Sequence, residues 1–248
     1  SEMNDTELER YSRHILLNEF DIVSQEKLSS ATALMIGCGG LANACAPILA
    51  SAGLGHIIVC DGDTIELSNL QRQFAFTEAD IGKHKAEVLK TYLQARNSQI
   101  QISSIHQFVD ETFLHDCLPQ CDVIIDCSDN SRTRHLINRL AVQHRIPLIS
   151  ASVIQFSGQL AVFDSRNQQS PCYACLFPQE IQQENTCTKN GVYAPLVHII
   201  GAAQAAETIK TICGIGSSSL GKVTHFEGLN FEASSFTITK HINCPICQ

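Results

Sequence analysis

The sequence predicts an α/β chain: a Rossmann-like, doubly wound and mainly parallel sheet, with a C-terminal antiparallel extension and a four-cysteine zinc site. Three observations predict it. Strand-like and helix-like stretches alternate from residue 32 to residue 151, the pattern of a parallel sheet covered by helices on both faces. The first strand runs directly into Gly37-Cys38-Gly39-Gly40, where a phosphate-binding turn would sit. Two Cys-x-x-Cys pairs, Cys172/Cys175 and Cys244/Cys247, have metal-ligand spacing.

In chain order, periodicity predicts a helix over residues 5–17 with Leu8, Tyr11, Ile15 and Leu16 toward one side, then a short helix around residues 25–28. A strand at 32–36 enters the glycine turn. The small, apolar run 41–52 reads as a helix stopped by Gly53. A strand at 56–60 closes on Asp61. After a polar loop come a helix at 83–96, a strand at 100–105, a helix at 111–118, a strand at 123–126, a helix at 131–143 and a strand at 147–151. Beyond Gly158 the pattern changes. A strand at 159–163 precedes a polar, cysteine-bearing, aperiodic stretch at 171–190, expected as a long functional loop. Pro195 opens a helix to residue 213 that is apolar on most faces, and two late antiparallel strands are expected at 223–226 and 235–239.

At 248 residues and 44% hydrophobic, the chain can bury a full core. Its 17 basic and 25 acidic residues leave a formal net charge of -8. That argues against a broad nucleic-acid surface, although one nucleotide pocket needs only a few cations. The longest uncharged stretch, 190–206, contains Asn190, Pro195, His198 and Gln204 and is too short and polar for a membrane span. No signal-peptide pattern opens the sequence, so a cytoplasmic protein is expected. The 12 cysteines then read as reduced thiols rather than a disulfide framework. Cys38, Cys60, Cys127 and Cys213 suit the core.

Gly37, Gly39 and Gly40 would let backbone approach a phosphate at a helix N-terminus, with Ala42 at the position of a third glycine. Asp61, at the end of the next strand, can accept ribose hydroxyls. A tight turn packing a helix on a sheet would use the same glycines, and the turn does not distinguish NAD from ATP. The following segment does bear on that choice. In Asp61-Gly62-Asp63-Thr64-Ile65-Glu66-Leu67-Ser68-Asn69-Leu70-Gln71-Arg72-Gln73, Arg72 can neutralise charge on an α-phosphate and pyrophosphate. Lys85 can reach the same phosphates. Asp129, in Asp126-Cys127-Ser128-Asp129-Asn130, follows a strand at its carboxyl end and can hold Mg²⁺. A solvated loop for Arg72 and Lys85, and an N-cap for Asp129, are the plainer alternatives.

These motifs, together with Arg10-Tyr11-Ser12-Arg13 and the cysteine pairs, resemble the MoeB/ThiF family, bacterial relatives of ubiquitin-activating enzymes. The resemblance spans nearly the whole chain. It implies ATP-dependent adenylation of the terminal glycine of a ubiquitin-like sulfur-carrier protein with a Gly-Gly tail. It also implies a homodimer in which Arg13 reaches the neighbouring subunit's ATP, with Arg72, Lys85 and Asp129 as the other catalytic groups. Gly37, Gly39, Gly40, Asp61, Asp63, Ser68, Asn69, Gln73 and Asn130 are the further expected ATP-site residues. Residues 1–30 then form a helical segment, 31–157 the nucleotide-binding region and 158–248 the carrier-binding, zinc-bearing region of one continuous domain. Leu176-Phe177-Pro178 and the C-terminal cysteine pair lean toward the thiamine branch, while length and tail also fit the molybdopterin branch. With no sulfur-transfer domain in the sequence, a separate sulfur donor is expected. An NAD-dependent oxidoreductase and a non-catalytic scaffold of the same fold are the competing readings.

Four cysteines at this spacing suggest a closed, tetrahedral zinc site, with two reduced, unliganded pairs as the plainer alternative. A redox Cys-x-x-Cys would need one pair at a helix start, which neither pair plainly has. Cys187, in the polar stretch and close to Lys189, is either a thiol linked to the carrier or a spectator.

Overall fold

The first strand shows why the sheet is covered on both sides. Side chains alternate across a strand. Ala33 and Met35 enter one apolar cluster, and Leu34 and Ile36 enter another. The structure is a computed structural model and describes residues 2–179 and 190–248. Its described strands form one eight-stranded sheet in the order β3-β2-β1-β4-β5-β6-β7-β8. These are β1 Thr32–Ile36, β2 His56–Cys60, β3 Gln101–Ile105, β4 Val123–Asp126, β5 Leu148–Ile154, β6 Ser157–Phe163, β7 Lys222–Glu227 and β8 Glu232–Thr237. Strands β3 to β5 of that order pair in parallel and β5 to β8 antiparallel. The expected doubly wound sheet with its antiparallel extension is therefore the fold observed.

On one face lie α3 (Ile22–Ser29), α4 (Gly40–Ala52), α5 (Lys85–Arg96) and the long helix Ala194–Cys213, labelled α9. On the other lie α6 (Glu111–Cys117) and α7 (Ser131–His144). Helix α9 packs tightly on α4, because Gly201 leaves no room for a side chain. A Cβ there would fall 2.5 Å from that of Ala44. Gln204, fully buried, donates from Nε2 to the carbonyls of Asp126 and Ile149 and so latches α9 to the ends of β4 and β5. Among the described residues no helix is long and apolar enough to cross a membrane.

Three expectations need correction. The single N-terminal helix is two, α1 Asp5–Arg10 and α2 Ser12–Ile15. Tyr11 breaks it, because its buried ring lies over Gly53 and its hydroxyl accepts from Asn97 Nδ2 at 2.8 Å. Leu16 stays 74% exposed, so the expected inward stripe does not form in one chain. Within the expected long loop, Tyr173–Leu176 forms a short helix, α8. The last strand starts three residues early, at Glu232, because the Glu227 carboxylate accepts from the amides of Leu229 and Asn230 and closes a tight hairpin.

Candidate active site

The order of strands reverses between β1 and β4, and in such sheets ligands bind in the crevice beyond the carboxyl ends at that point. The glycine turn leaves β1 there and Cys127-Ser128-Asp129 leaves β4. Gly37 has φ +93° and touches the backbone just after β4; a Cβ would lie 2.5 Å from the Cys127 carbonyl oxygen. Gly39 caps α4 without any side-chain cap, so the amides at the helix start remain directed at the crevice. Asn43, 4% exposed, braces the turn. Its Nδ2 donates to the carbonyls of Cys38 and Gly39, and its Oδ1 accepts from Ala75 N.

Asp61 is tied to that turn. Its carboxylate accepts from the amides of Cys38 at 2.7 Å and Asp63 at 2.8 Å, which leaves further lone pairs for ribose hydroxyls. Asp63 in turn accepts from the Lys85 amide through its carbonyl. Burial first, then the adjacent Asp61, lifts the Asp63 carboxyl above the ordinary carboxylate range. Lys85 pulls it back and Asp129 adds to the rise, so these four charges act on one small region. Lys85 is only 7% exposed, and no carboxylate pairs with it among the described residues. A lysine with a buried stem and no ion pair among the described residues suits an anionic ligand.

Arg72 lies across the same turn. A Cβ on Gly40 would fall 3.3 Å from both Cγ and Cδ of Arg72. Its guanidinium contacts are local: Nη1 donates to Ser68 O and Gln71 Oε1, each at 3.2 Å. Asn69, buried, shapes this segment by accepting from Glu66 N through Oδ1 and from the amides of Arg72 and Gln73 through its carbonyl. Gln73 is 2% exposed beside Gly39, and its Oε1 has no hydrogen-bond partner among the described residues. Asp129 is exposed and is not the N-cap of α7; Asn130 is, accepting from Thr133 N at 2.9 Å. Asp129 is thereby free of the structural role that competed with metal binding.

Arg13 is not brought to this cluster. Its neighbours anchor at the other ends of α4 and α5: Tyr11 at Gly53 and Asn97, and Arg10 at the Arg96 carbonyl. Helix α4 has 13 residues, so those ends lie about 20 Å from the glycine turn. Cys187 and Lys189 fall outside the described residues. Sequence reasoning missed the supporting shell: Asn43, Gln204 and Arg134. Arg134 bonds the carbonyls of Ala151 and Ser128 beneath the site. One signal was available, a lone asparagine inside the small, apolar run of α4.

The four paired cysteines do meet. Their sulfurs all lie within 4.8 Å of one another, with Cys172 and Cys244 at 3.7 Å and Cys175 and Cys247 at 3.5 Å. Sulfurs about 2.3 Å from one zinc ion, placed tetrahedrally, would be about 3.8 Å apart. The residues present therefore fit a metal. Burial pushes the Cys172 thiol up to about 11, against a hydrogen bond from Asn138, so a cation is what would keep it a thiolate. Cys172 caps α8, so one pair does start a helix, contrary to expectation. That helix has four residues, and the thiols face the second pair rather than solvent.

The model of the ThiF family matches residues 11–246. The chain belongs to the ThiF family. It is 39% identical to the ThiS adenylyltransferase of Escherichia coli K12, over 99% of this chain and 97% of that protein. It is 34% identical to the molybdopterin-synthase adenylyltransferase of the same organism, over 100% and 99%. A crystal structure of E. coli MccB with ATP matches with a TM-score of 0.86 at 30% identity, covering 99% of this chain and 75% of that one. This ThiF-family chain is an adenylyltransferase, and the oxidoreductase reading is set aside.

Proposed function

We propose that the chain uses ATP to adenylate the C-terminal glycine carboxylate of a small ubiquitin-like sulfur-carrier protein ending in Gly-Gly, releasing pyrophosphate. One observation carries the reading: the uncapped glycine turn, the buried Lys85, Arg72 against Gly40, and Asp61, Asp63 and Asp129 converge at the switch point of the sheet. The names of two relatives, which act on ThiS and in molybdopterin synthesis, support a sulfur carrier as substrate.

The attacking carboxylate is already ionised at neutral pH, so the site needs no general base. It has to align that carboxylate with the α-phosphate and stabilise the added charge. Amides at the start of α4 bind phosphate oxygens, Asp61 the ribose, and Lys85 the phosphates as a point charge. Arg72 acts on charge that builds at the α-phosphate and the leaving pyrophosphate. Ser68, Asn69, Gln73 and Asn130 keep the two loops in register around the nucleotide. Asp129 would hold Mg²⁺, which would neutralise phosphate charge when bound, and Asp63 lines the ATP site. Arg13 comes from the second subunit of a homodimer. Cys172, Cys175, Cys244 and Cys247 would hold a structural zinc, which would pin the C-terminal tail to the segment after β6. Residues 31–157 bind the nucleotide and 158–248 the carrier, and a separate protein donates the sulfur in the cytoplasm.

Exchange of labelled pyrophosphate into ATP, with carriers of the thiamine and molybdopterin types in parallel, tests this. Carrier-dependent exchange is expected with one of them, and Arg72→Ala should lower its rate by ~10²–10³. Absence of exchange with both carriers, or wild-type exchange by Arg72→Ala, overturns the reading.

A further inference from the structure

Arg72 is held in an unusual way for a residue assigned to charge stabilisation. Its guanidinium touches only its own turn, Ser68 and Gln71, and no carboxylate pairs with it among the described residues. Among the described residues nothing distant fixes its tip, so its location is set by its stem and its backbone. The stem lies on Gly40. The backbone is held from α9. His198, in the first turns of that helix, has Nε2 3.0 Å from the Arg72 carbonyl oxygen. A carbonyl only accepts, so Nε2 carries the hydrogen and donates. The imidazole is itself held: its ring stacks on Phe74, two residues beyond Arg72, with centroids 4.4 Å apart and 24° between planes. A second tie runs alongside, from Gln71 Nε2 to the Val192 carbonyl just before α9. Val197, next to His198, closes the arrangement. A Cβ on Gly40 would meet its Cγ1 at 2.8 Å. The start of α9 thus touches both the glycine turn and the peptide of Arg72.

We propose that His198 is a positioning residue for Arg72: its Nε2–H, with the ring braced by Phe74, sets the Arg72 peptide against the glycine turn and so aims the guanidinium at the reacting phosphate. The proposal rests on the adenylation reading above and adds to it a specific device. His198 touches no substrate in this account; it acts through Arg72. Its removal should therefore be felt where Arg72 is felt, in the chemical step more than in ATP binding.

The experiment is pyrophosphate exchange over a range of ATP concentrations, with thermal midpoints measured on the same preparations. His198→Ala should lower kcat about tenfold, the scale of one lost hydrogen bond plus a small misplacement, with KM for ATP within about twofold of wild type. His198→Gln, whose amide nitrogen reaches where the imidazole Nε2 does, should recover most of the loss. In an Arg72→Ala background, His198→Ala should change nothing further, because no guanidinium remains to be aimed. Phe74→Ala, which frees the ring without altering α9, should show the same kcat signature and carries the test if His198→Ala does not fold. A His198→Ala enzyme with wild-type kcat, a Gln variant as impaired as the Ala variant, or an equal further loss in the Arg72→Ala background overturns the proposal while leaving adenylation standing. If wild-type protein exchanges with no carrier, the adenylation reading itself falls, and the proposal with it.

Discussion

Replacing Gly37, Gly39 and Gly40 one at a time by alanine should separate three roles that one motif conceals. At Gly37 the backbone has φ +93°, and a Cβ would lie 2.5 Å from the Cys127 carbonyl oxygen and 2.8 Å from its carbon. Ordinary carbon–oxygen contacts are about 3.3 Å or longer, so the ends of β1 and β4 would have to part by about 0.8 Å. Strained φ costs ~1–2 kcal/mol for an L side chain, and overpacking a well-packed core costs ~1–3 kcal/mol more. The sum, about 2–5 kcal/mol, lowers the midpoint of a chain this size by roughly 5–15 °C. At Gly39 the only neighbour of a new Cβ among the described residues is the tip of Gln73 at 3.5 Å, an ordinary contact. Gly39→Ala should stay within about 1 kcal/mol of wild type, helped by lower entropy of the unfolded chain. Gly40 begins α4, where alanine favours the helix by ~1 kcal/mol. Its new methyl would press on Val197 and on the stem of Arg72. Gly40→Ala should thus give back the helix gain to overpacking of the buried Val197, with a net stability loss of ~0–2 kcal/mol, and lose exchange activity. Differential scanning calorimetry with the exchange assay reads both quantities. A Gly37→Ala variant that melts with the wild type, or a Gly39→Ala variant that loses as much as Gly37→Ala, would refute these assignments.

Metal analysis of protein purified without chelator should find about one zinc per chain, and Cys244→Ser should lower the thermal midpoint because structural zinc contributes folding energy; protein with no metal would remove the zinc assignment. Mixing Arg13→Ala chains with Asp129→Ala chains should restore part of the exchange activity, since a hybrid dimer holds one intact site. Verified heterodimers without recovery would mean that each site is built from one chain. Burial lowers the His135 pKa, and its Nε2 is buried without a hydrogen-bond partner among the described residues. The unfolded chain therefore takes up this proton first as pH falls below about 6.5, so stability should drop on acidification from that point toward the folded pKa. His135→Asn should shrink that drop, and an unchanged pH dependence of the midpoint would count against it.

Much of the fold was legible because local and global preferences agree. Strand β1 ends at Ile36 and β4 at Asp126, as the alternation of patterns predicted. The parallel order follows from helices between strands, and the carboxyl edge then collects Gly37, Asp61 and Asp129 by topology alone. The cysteine spacing likewise announced four sulfurs that 72 residues separate in pairs and the fold brings within 4.8 Å. Local pattern failed where a distant contact outweighed it. Residues 5–17 have helical periodicity, yet Tyr11 breaks the helix because its ring and hydroxyl are bound at Gly53 and Asn97. The edge strand β8 was misplaced because a carboxylate, Glu227, decides where the hairpin turns.

What the sequence determined by itself was the class of chemistry: which residue types stand at which strand ends, and which thiols are spaced for a metal. Tertiary structure alone decided how they act together. Only packing shows that Gly37 is glycine because the backbone just after β4 touches it, and that Asn130 rather than Asp129 caps α7. Only packing shows Arg13 a helix length from the glycine turn and the Arg72 peptide held by His198 from 126 residues away. Spacing along the chain encodes helix faces and strand alternation, because those are local periodicities. It does not encode which side chain meets which across the sheet, because that depends on how the helices settle on the core.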